Sequence, residues 1–387
     1  MMDQGTKVDK LLSDVAKLPL PTQRAIGCCV GSCVMDAASR PFHWCYDQAV
    51  IEEALSAGQD VAFYSTSISP YYTVPTGENS CYYDLGYLML RALPASADAA
   101  LDLEAFHSEL QSFFGPGTPY NDAFQARNYL YDPAKRYDKR DPVPGPWQQS
   151  SVTSYLEKRD NRQSRETDGL VSTLPLIARL ALRGPPLQSR EAQQEIRAAA
   201  HVLSTNPFAL THTLSAAVLL DAIIRDGTDF RAAPSALVPV LGRVDDESCA
   251  LEGGCLVGKE GEQVEEEFGH ALVRREVQSV VEALQGDPAG TDHTARVLAW
   301  GKPCANPGSF QGALHGFLSS ASFAEGARKV IRAGGCNCSR ANLCGALLGA
   351  THGFQEGAGI PREWILKADK GVEVLETALD KFRHALR

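Results

Sequence analysis

Apolar residues recur at helical spacing over most of this chain. From Pro21 to Ser39, the residues Ile26, Val30, Cys33, Val34 and Ala37 mark roughly one face of a helix. Asp47 to Ser56 continues in the same style, as do Cys81 to Leu93 (Leu85, Leu88 and Met89 inward) and Leu101 to Phe114 (Leu103, Phe106, Leu110, Phe113 and Phe114). Further helices are predicted over LVSTLPLIARLAL (170–182), over Arg190–Thr205 and over Asn206–Ile224, where Asn206 caps and Pro207 opens the first turn. The segment ending at Gly286 repeats Phe268, Leu272, Val277, Val280 and Val281. Ser309–Gly335 reads as two helices broken near Ser319–Ser322, and the last two helices follow Ser339 and Ala368. Only DVAFYST, Asp60–Thr66, looks like a strand. Gly115–Gly169 carries Pro116, Pro119, Pro133, Pro142, Pro144 and Pro146, which break any long helix. The expectation is an all-α helical bundle, one domain over 1–387, with a loop-rich insertion at about 115–168.

The bulk numbers change this picture little. The 387 residues are 44% hydrophobic and 22% charged, an ordinary globular balance. Net charge is −10, from 37 basic and 47 acidic residues, and no basic stripe suits nucleic acid. The N-terminus lacks a cationic start followed by an apolar run, and no stretch is expected to reach the roughly 18 apolar residues of a membrane span. Eleven scattered cysteines, an odd number, point to a reducing compartment, so cytoplasm is expected, with no membrane partner.

Small residues form stripes. Ala341, Gly345, Gly349 and Gly353 recur every four residues, and Gly27 and Gly31 do so near the N-terminus. Glycine inside a helix costs about 0.5–1 kcal/mol against alanine, so such stripes imply a close backbone approach. Tight helix packing explains them, as does a central helix pair beneath a polar site.

The order of motifs resembles the ADP-ribosylglycohydrolase superfamily. GCCVGSCVMDAASRPF matches a glycine-spaced helix ending in Gly-Asp-Ala, with Asp36–Ala37 in place and Met35 for glycine. DGLVSTLPLIARL matches the middle motif, and SFAEGARKVIRAGGCNCSRANLCGALLGATHGFQEGAGIPREW follows the family's final block through Trp364. The resemblance implies a helical fold, an ADP-ribose-like small molecule or an ADP-ribosylated protein as partner, and two magnesium ions held by aspartates and threonines. The early metal motif falls on Gly77-Glu78-Asn79-Ser80. The late motif's aspartates fall on Cys336 and Cys338, its threonines on Asn337 and Ser339. Magnesium demands hard oxygen ligands and thiolates are soft, so magnesium is not expected. Gly-Gly-Cys-Asn-Cys-Ser-Arg looks like the branch of selenoprotein J and jellyfish J-type crystallins. In the selenoprotein, selenocysteine stands at the place of Cys336.

Candidate chemistry therefore centres on Cys336 and Cys338, with Cys81 and Glu78 brought close if the family fold holds. Orphan N–H groups at a helix start, with Arg340 near, favour a thiolate at Cys338. Three readings stay open: inert packing, a redox site with an exposed Cys336 attacking and Cys338 or Cys81 resolving, and zinc on three thiolates. A Cys336–Cys338 disulfide would be strained, which favours Cys81 as resolving partner. Asp36, Asn79, Ser80, Asn337, Ser339 and Arg340 are candidate ligand-binding residues, the last two for a phosphate at a helix start. Cys28, Cys29 and Cys33 read as core, His212, His315 and His352 as satisfied core or surface histidines, and YDPAKRYDKRDP as an exposed loop or a roof over the cleft. The function expected is that of a divergent family member without the magnesium site; a thiol redox protein and a crystallin-like structural protein are the alternatives.

Overall fold

The computed structural model describes residues 3–69, 75–96, 99–114, 165–241, 256–257, 263–264 and 270–384. The expected loop-rich insertion, with the charged stretch 131–142, falls almost wholly outside them. The described chain is all-α. In order it forms α1 (Gln4–Ala16), α2 (Leu20–Ser39), α3 (Gln48–Leu55), α4 (Cys81–Ala92), α5 (Leu103–Phe114), α6 (Asp168–Leu180), α7 (Arg190–His201) and α8 (Pro207–Asp221). There follow α9 (Leu237–Leu241), α10 (His270–Gly286), α11 (His293–Trp300), α12 (Gly308–Leu318), α13 (Phe323–Arg332), α14 (Asn337–His352), α15 (Arg362–Lys367) and α16 (Gly371–Phe382). Among the described residues the one strand pairing is a two-residue antiparallel ladder, Leu256–Val257 with Gln263–Val264.

Local chemistry fixes most helix starts. Asp47, Ser80, Ser189 and Ser322 each accept a backbone N–H in the first turn, and Asn206 does so ahead of Pro207 as the sequence predicts. Helices α1, α11 and α15 were not foreseen, although α1 buries Val8, Leu11 and Val15 at helical spacing. Asp60–Thr66 is a turn rather than a strand. Phe63 has a left-handed φ of 53° and donates its N–H to Ala38 O, so the run buries its apolar residues as a loop folded over the end of α2. One further expectation is corrected. Pro207–Asp226 is long and apolar enough to cross a membrane, yet it is wholly buried within the bundle.

The centre of the bundle is an antiparallel pair, α2 against α14. Both are buried on nearly all faces, as a helix hydrophobic or small all round must be. The glycine stripes meet. A Cβ added at Gly27 would strike the carbonyl oxygen of Gly349, one at Gly31 that of Gly345, and the reverse substitutions strike the Gly31 and Gly27 carbonyls. Around this pair lie α12 and α13 against α14, α16 against α2, and α6, which carries α4, α7 and α8 on its other faces. Cys28, Cys29 and Cys33 are core, as the sequence suggests.

Because the obstructing atoms are backbone, no side chain can swing aside. Gly345→Ala should lower unfolding stability by at least about 2–3 kcal/mol, measured by urea denaturation. A change within about 0.5 kcal/mol would mean that the two backbones lie farther apart.

Candidate functional site

The polar end of the central pair lies where α2 finishes and α14 begins. Asp36, fully buried one turn before the end of α2, organises it. One carboxylate oxygen accepts from Ser80 N at 2.7 Å and Asn79 Nδ2 at 3.1 Å; the other accepts from Ser80 Oγ at 2.5 Å and Asn342 Nδ2 at 3.0 Å. Asn342 is held by Ser32 Oγ, 2.9 Å from its amide oxygen, and Asn79 Nδ2 also donates to Cys33 O at 2.9 Å. Ser80 caps α4 while it donates to Asp36, so the start of α4 is fixed to the end of α2. Arg40 Nη1 donates to Asn79 O and closes the network.

Cys336 lies at the mouth of α14. Gly334 and Gly335 have φ of 65° and 64°, a left-handed pair that turns the chain abruptly into the helix. The turn is pinned by Trp44 N to Gly335 O (2.8 Å), Gly335 N to Cys45 O (2.6 Å) and Cys336 N to Lys302 O (2.9 Å). Arg340 serves the same turn: its guanidinium donates to Lys302 O at 2.9 Å and to Gly334 O. It is fully buried rather than solvated, with both Nη atoms on carbonyls and Nε without a hydrogen-bond partner. Ser339 likewise bonds inward, to Cys336 O at 2.7 Å and Ser309 Oγ at 3.1 Å, and the residue at the cap position is Cys336. Asn337 Nδ2 donates to Ser39 O at 3.1 Å.

The Cys336 sulfur is fully buried, which corrects the expectation of an exposed nucleophile. His43 Nε2 stands 3.4 Å from it, and the sulfur donates to the Tyr82 hydroxyl at 3.2 Å. Burial alone would push the Cys336 thiol up, but these neighbours, Cys304 first and then His43 and Tyr82, bring it well below the ordinary thiol range. Burial pushes His43 down, against the pull of Cys336. His43 is aimed by strained backbone, for Trp44 next to it has φ 65°.

The other candidate thiols differ. Cys338 and Cys81 are pushed well above the usual range, by burial first and then by Asp36 and Asp168 respectively. The helix start therefore does not yield a thiolate at Cys338, whose sulfur donates to Asp36 O at 3.7 Å. Glu78 is half-buried before α4, and its carboxylate takes no hydrogen bond among the described residues. His43, Tyr82, Cys304 and Asn342 were missed by sequence reading. His43 sits in a short His-Trp-Cys run that gave a faint signal, but nothing local marks Cys304.

The donor set does not fit magnesium. Asp36 is the one carboxylate in the network, and hydrogen-bond donors fill both its oxygens. The late-motif positions offer two sulfurs, an amide and a hydroxyl. Among the described residues no group of three or more His, Cys, Asp or Glu is arranged to hold a metal, so the zinc alternative finds no cluster either.

The candidate histidines are core. His212 sits between Phe208 O and Glu276, each 2.7 Å from a ring nitrogen, and His352 contacts Arg231. His315 stacks on His293 with their Nδ1 atoms 2.9 Å apart. Burial pushes His293 well below its usual value and His315 down to about 4. In the unfolded chain both take a proton near about pH 6.5. Below that pH the unfolded state binds more protons, so stability falls as pH drops toward 4, by up to about 1.4 kcal/mol per unit for each histidine. Urea midpoints at pH 7 and pH 5 test this, and an unchanged midpoint would show that the pair is protonated in the fold.

A profile of the ADP-ribosylglycohydrolase family matches residues 18–387. Crystallin J1A of Tripedalia cystophora is 28% identical over 372 residues, 95% of this chain and 97% of that protein. Crystallin J1B of the same organism is 27% identical over 361 residues, 92% and 95% of the two chains. A solved structure described as an ADP-ribosylglycohydrolase-related protein complex superposes with a TM-score of 0.55 at 16% identity, covering 94% of this chain and 99% of that one.

Proposed function

The chain belongs to the ADP-ribosylglycohydrolase family, and from that premise we propose that it is a member working without magnesium, which binds an ADP-ribosyl-type ligand at the α2–α14 end and presents Cys336 there as a thiolate. The family acts on ADP-ribosylated substrates, which supplies the ligand class. The observation that carries the reading is the saturated Asp36 carboxylate near a buried sulfur that has His43 Nε2 at 3.4 Å and the Tyr82 hydroxyl at 3.2 Å. An acid that has given all its lone pairs to internal donors is a structural brace. The charge available for chemistry is then on sulfur.

A second observation supports a polar ligand. Thr167 and Asn306 lie on two segments joined by the Glu166–Ala305 bridge and by Asn306 N to Arg165 O at 2.8 Å. Both are buried, yet the Thr167 hydroxyl and both polar atoms of the Asn306 carboxamide lack a hydrogen-bond partner. Buried polar groups are nearly always satisfied, so a ligand or ordered water belongs beside them.

Titration of ADP-ribose into the whole chain, once with EDTA and once with magnesium, tests the proposal. The expected result is the same affinity in both and hydrolysis of ADP-ribosylated peptides that magnesium does not stimulate. Stoichiometric magnesium binding or magnesium-dependent turnover would sink it. A structural role is the second reading, favoured by the two crystallin relatives that match nearly the whole chain. Absence of any ADP-ribose binding would decide for that role.

A further inference from the structure

The loop joining α10 to α11 and the helix α13 enclose a cavity of about 370 Å³, inside the range of roughly 300–1,000 Å³ typical of small-molecule sites. None of Asp36, His43, Tyr82, Cys304 or Cys336 lines it. Gly290 brings the loop down on the end of α12. Its φ is 61°, and a Cβ there would strike Ser319, with His315 Cε1 next at 3.1 Å.

His293 lines the cavity and is 2% exposed. Its Nδ1 lies 2.9 Å from His315 Nδ1, and the Nε2 atoms of both rings lack a hydrogen-bond partner. A neutral imidazole has one N–H and one lone pair. The contact between the rings uses one N–H and one lone pair. One ring therefore keeps an Nε2–H donor and the other an Nε2 lone pair, both buried and both unused. Buried polar atoms are nearly always satisfied, so a partner for His293 belongs in the cavity it lines.

The charges on the walls select that partner. Glu325 is bound by Lys329 at 2.9 Å and accepts from Ala321 N at 2.8 Å. Arg328 lends Nε and Nη2 to Asp60. Arg332, one turn further along α13, makes no ion pair or side-chain hydrogen bond among the described residues. The unspent charge is thus positive. Helix α11 contributes its first turn through His293 and Thr294. Asp292 at the cap position makes no side-chain cap, is tied instead to Arg296 at 2.6 Å, and does not line the cavity. The uncapped N–H groups of that turn add to the pull on an anion.

We propose that this cavity binds a phosphate monoester of a small polyol or sugar. The phosphoryl oxygens accept from His293 Nε2 and the Thr294 hydroxyl, and Arg332 supplies the opposing charge. Binding selects the tautomer in which His315 donates between the rings and His293 carries its proton on Nε2. The cavity is larger than a phosphoryl group needs. The remaining walls hold the Ser322 hydroxyl and the Glu325 carboxylate, whose spare lone pairs accept from the hydroxyls of the organic part.

Calorimetric titration of the full-length chain at low ionic strength, with glycerol 3-phosphate, inorganic phosphate and glycerol in turn, tests the proposal. The expected result is saturable binding of glycerol 3-phosphate, weaker binding of inorganic phosphate and none of glycerol. Arg332→Glu, an exposed substitution that leaves the core untouched, should weaken glycerol 3-phosphate by at least about tenfold, as loss of a charge-assisted contact does. Histidine-ring 15N spectra give the second readout. The His293 signals, identified by their loss in His293→Asn, should move with occupancy. Absence of saturable binding, equal affinity in Arg332→Glu, or His293 signals that stay still while ligand binds would overturn it. Ligand held at the α2–α14 end would move His43 instead, so failure of ADP-ribose binding there leaves this site standing.

Discussion

Two helices of this protein touch through their backbones. Gly27 and Gly31 of α2 face Gly349 and Gly345 of α14 with no room for a Cβ on either side. Four glycines inside helices cost conformational entropy, and the compensation is contact at a distance that side chains would forbid. That contact sets the register of the pair. With Gly31 against Gly345, Asp36 falls beside Asn342 and the sulfur of Cys338 meets the Asp36 carbonyl. The other helices pack around this spine, and the polar site is what the spine presents at one end.

At that end the polar groups divide into two sets. One is a brace: Asp36, Asn79, Ser80, Asn342 and Ser32 satisfy one another and tie α2, α4 and α14 together. A fully satisfied buried network is rigid, whereas a half-satisfied one is costly. The other set surrounds a thiol: His43 and Tyr82, from two other segments, meet the Cys336 sulfur at 3.4 and 3.2 Å. Burial raises the Cys336 thiol, and its neighbours Cys304, His43 and Tyr82 lower it, His43 through charge as well as hydrogen bonding. Arg340 contributes at one remove, by holding the carbonyls of the turn that carries Cys336.

How much of this was legible differs by feature. Helices with strong periodicity and a capping residue, such as those beginning after Asp47, Ser80 and Asn206, were readable because both signals are local. DVAFYST misled because a short apolar run buries equally well as a loop. Cys338 misled because a helix start favours a thiolate only where burial does not outweigh it, and here burial and Asp36 both raise the thiol. Arg340 misled because sequence position near a helix start says nothing about which way a long side chain runs.

The sequence by itself determined the all-α class, the glycine stripes and the family resemblance. These are carried by spacing and residue type, which act within a few turns of one element. Only the tertiary structure decided that Asp36 is spent on internal donors, that Cys336 and not Cys338 is the low-pKa sulfur, and that its companions are His43, Tyr82 and Cys304. Each depends on hydrogen bonds between segments hundreds of residues apart in places, such as the 293 that separate His43 from Cys336. The pKa of a buried group is fixed by whichever partners the fold brings within a few ångströms, and no local pattern records them.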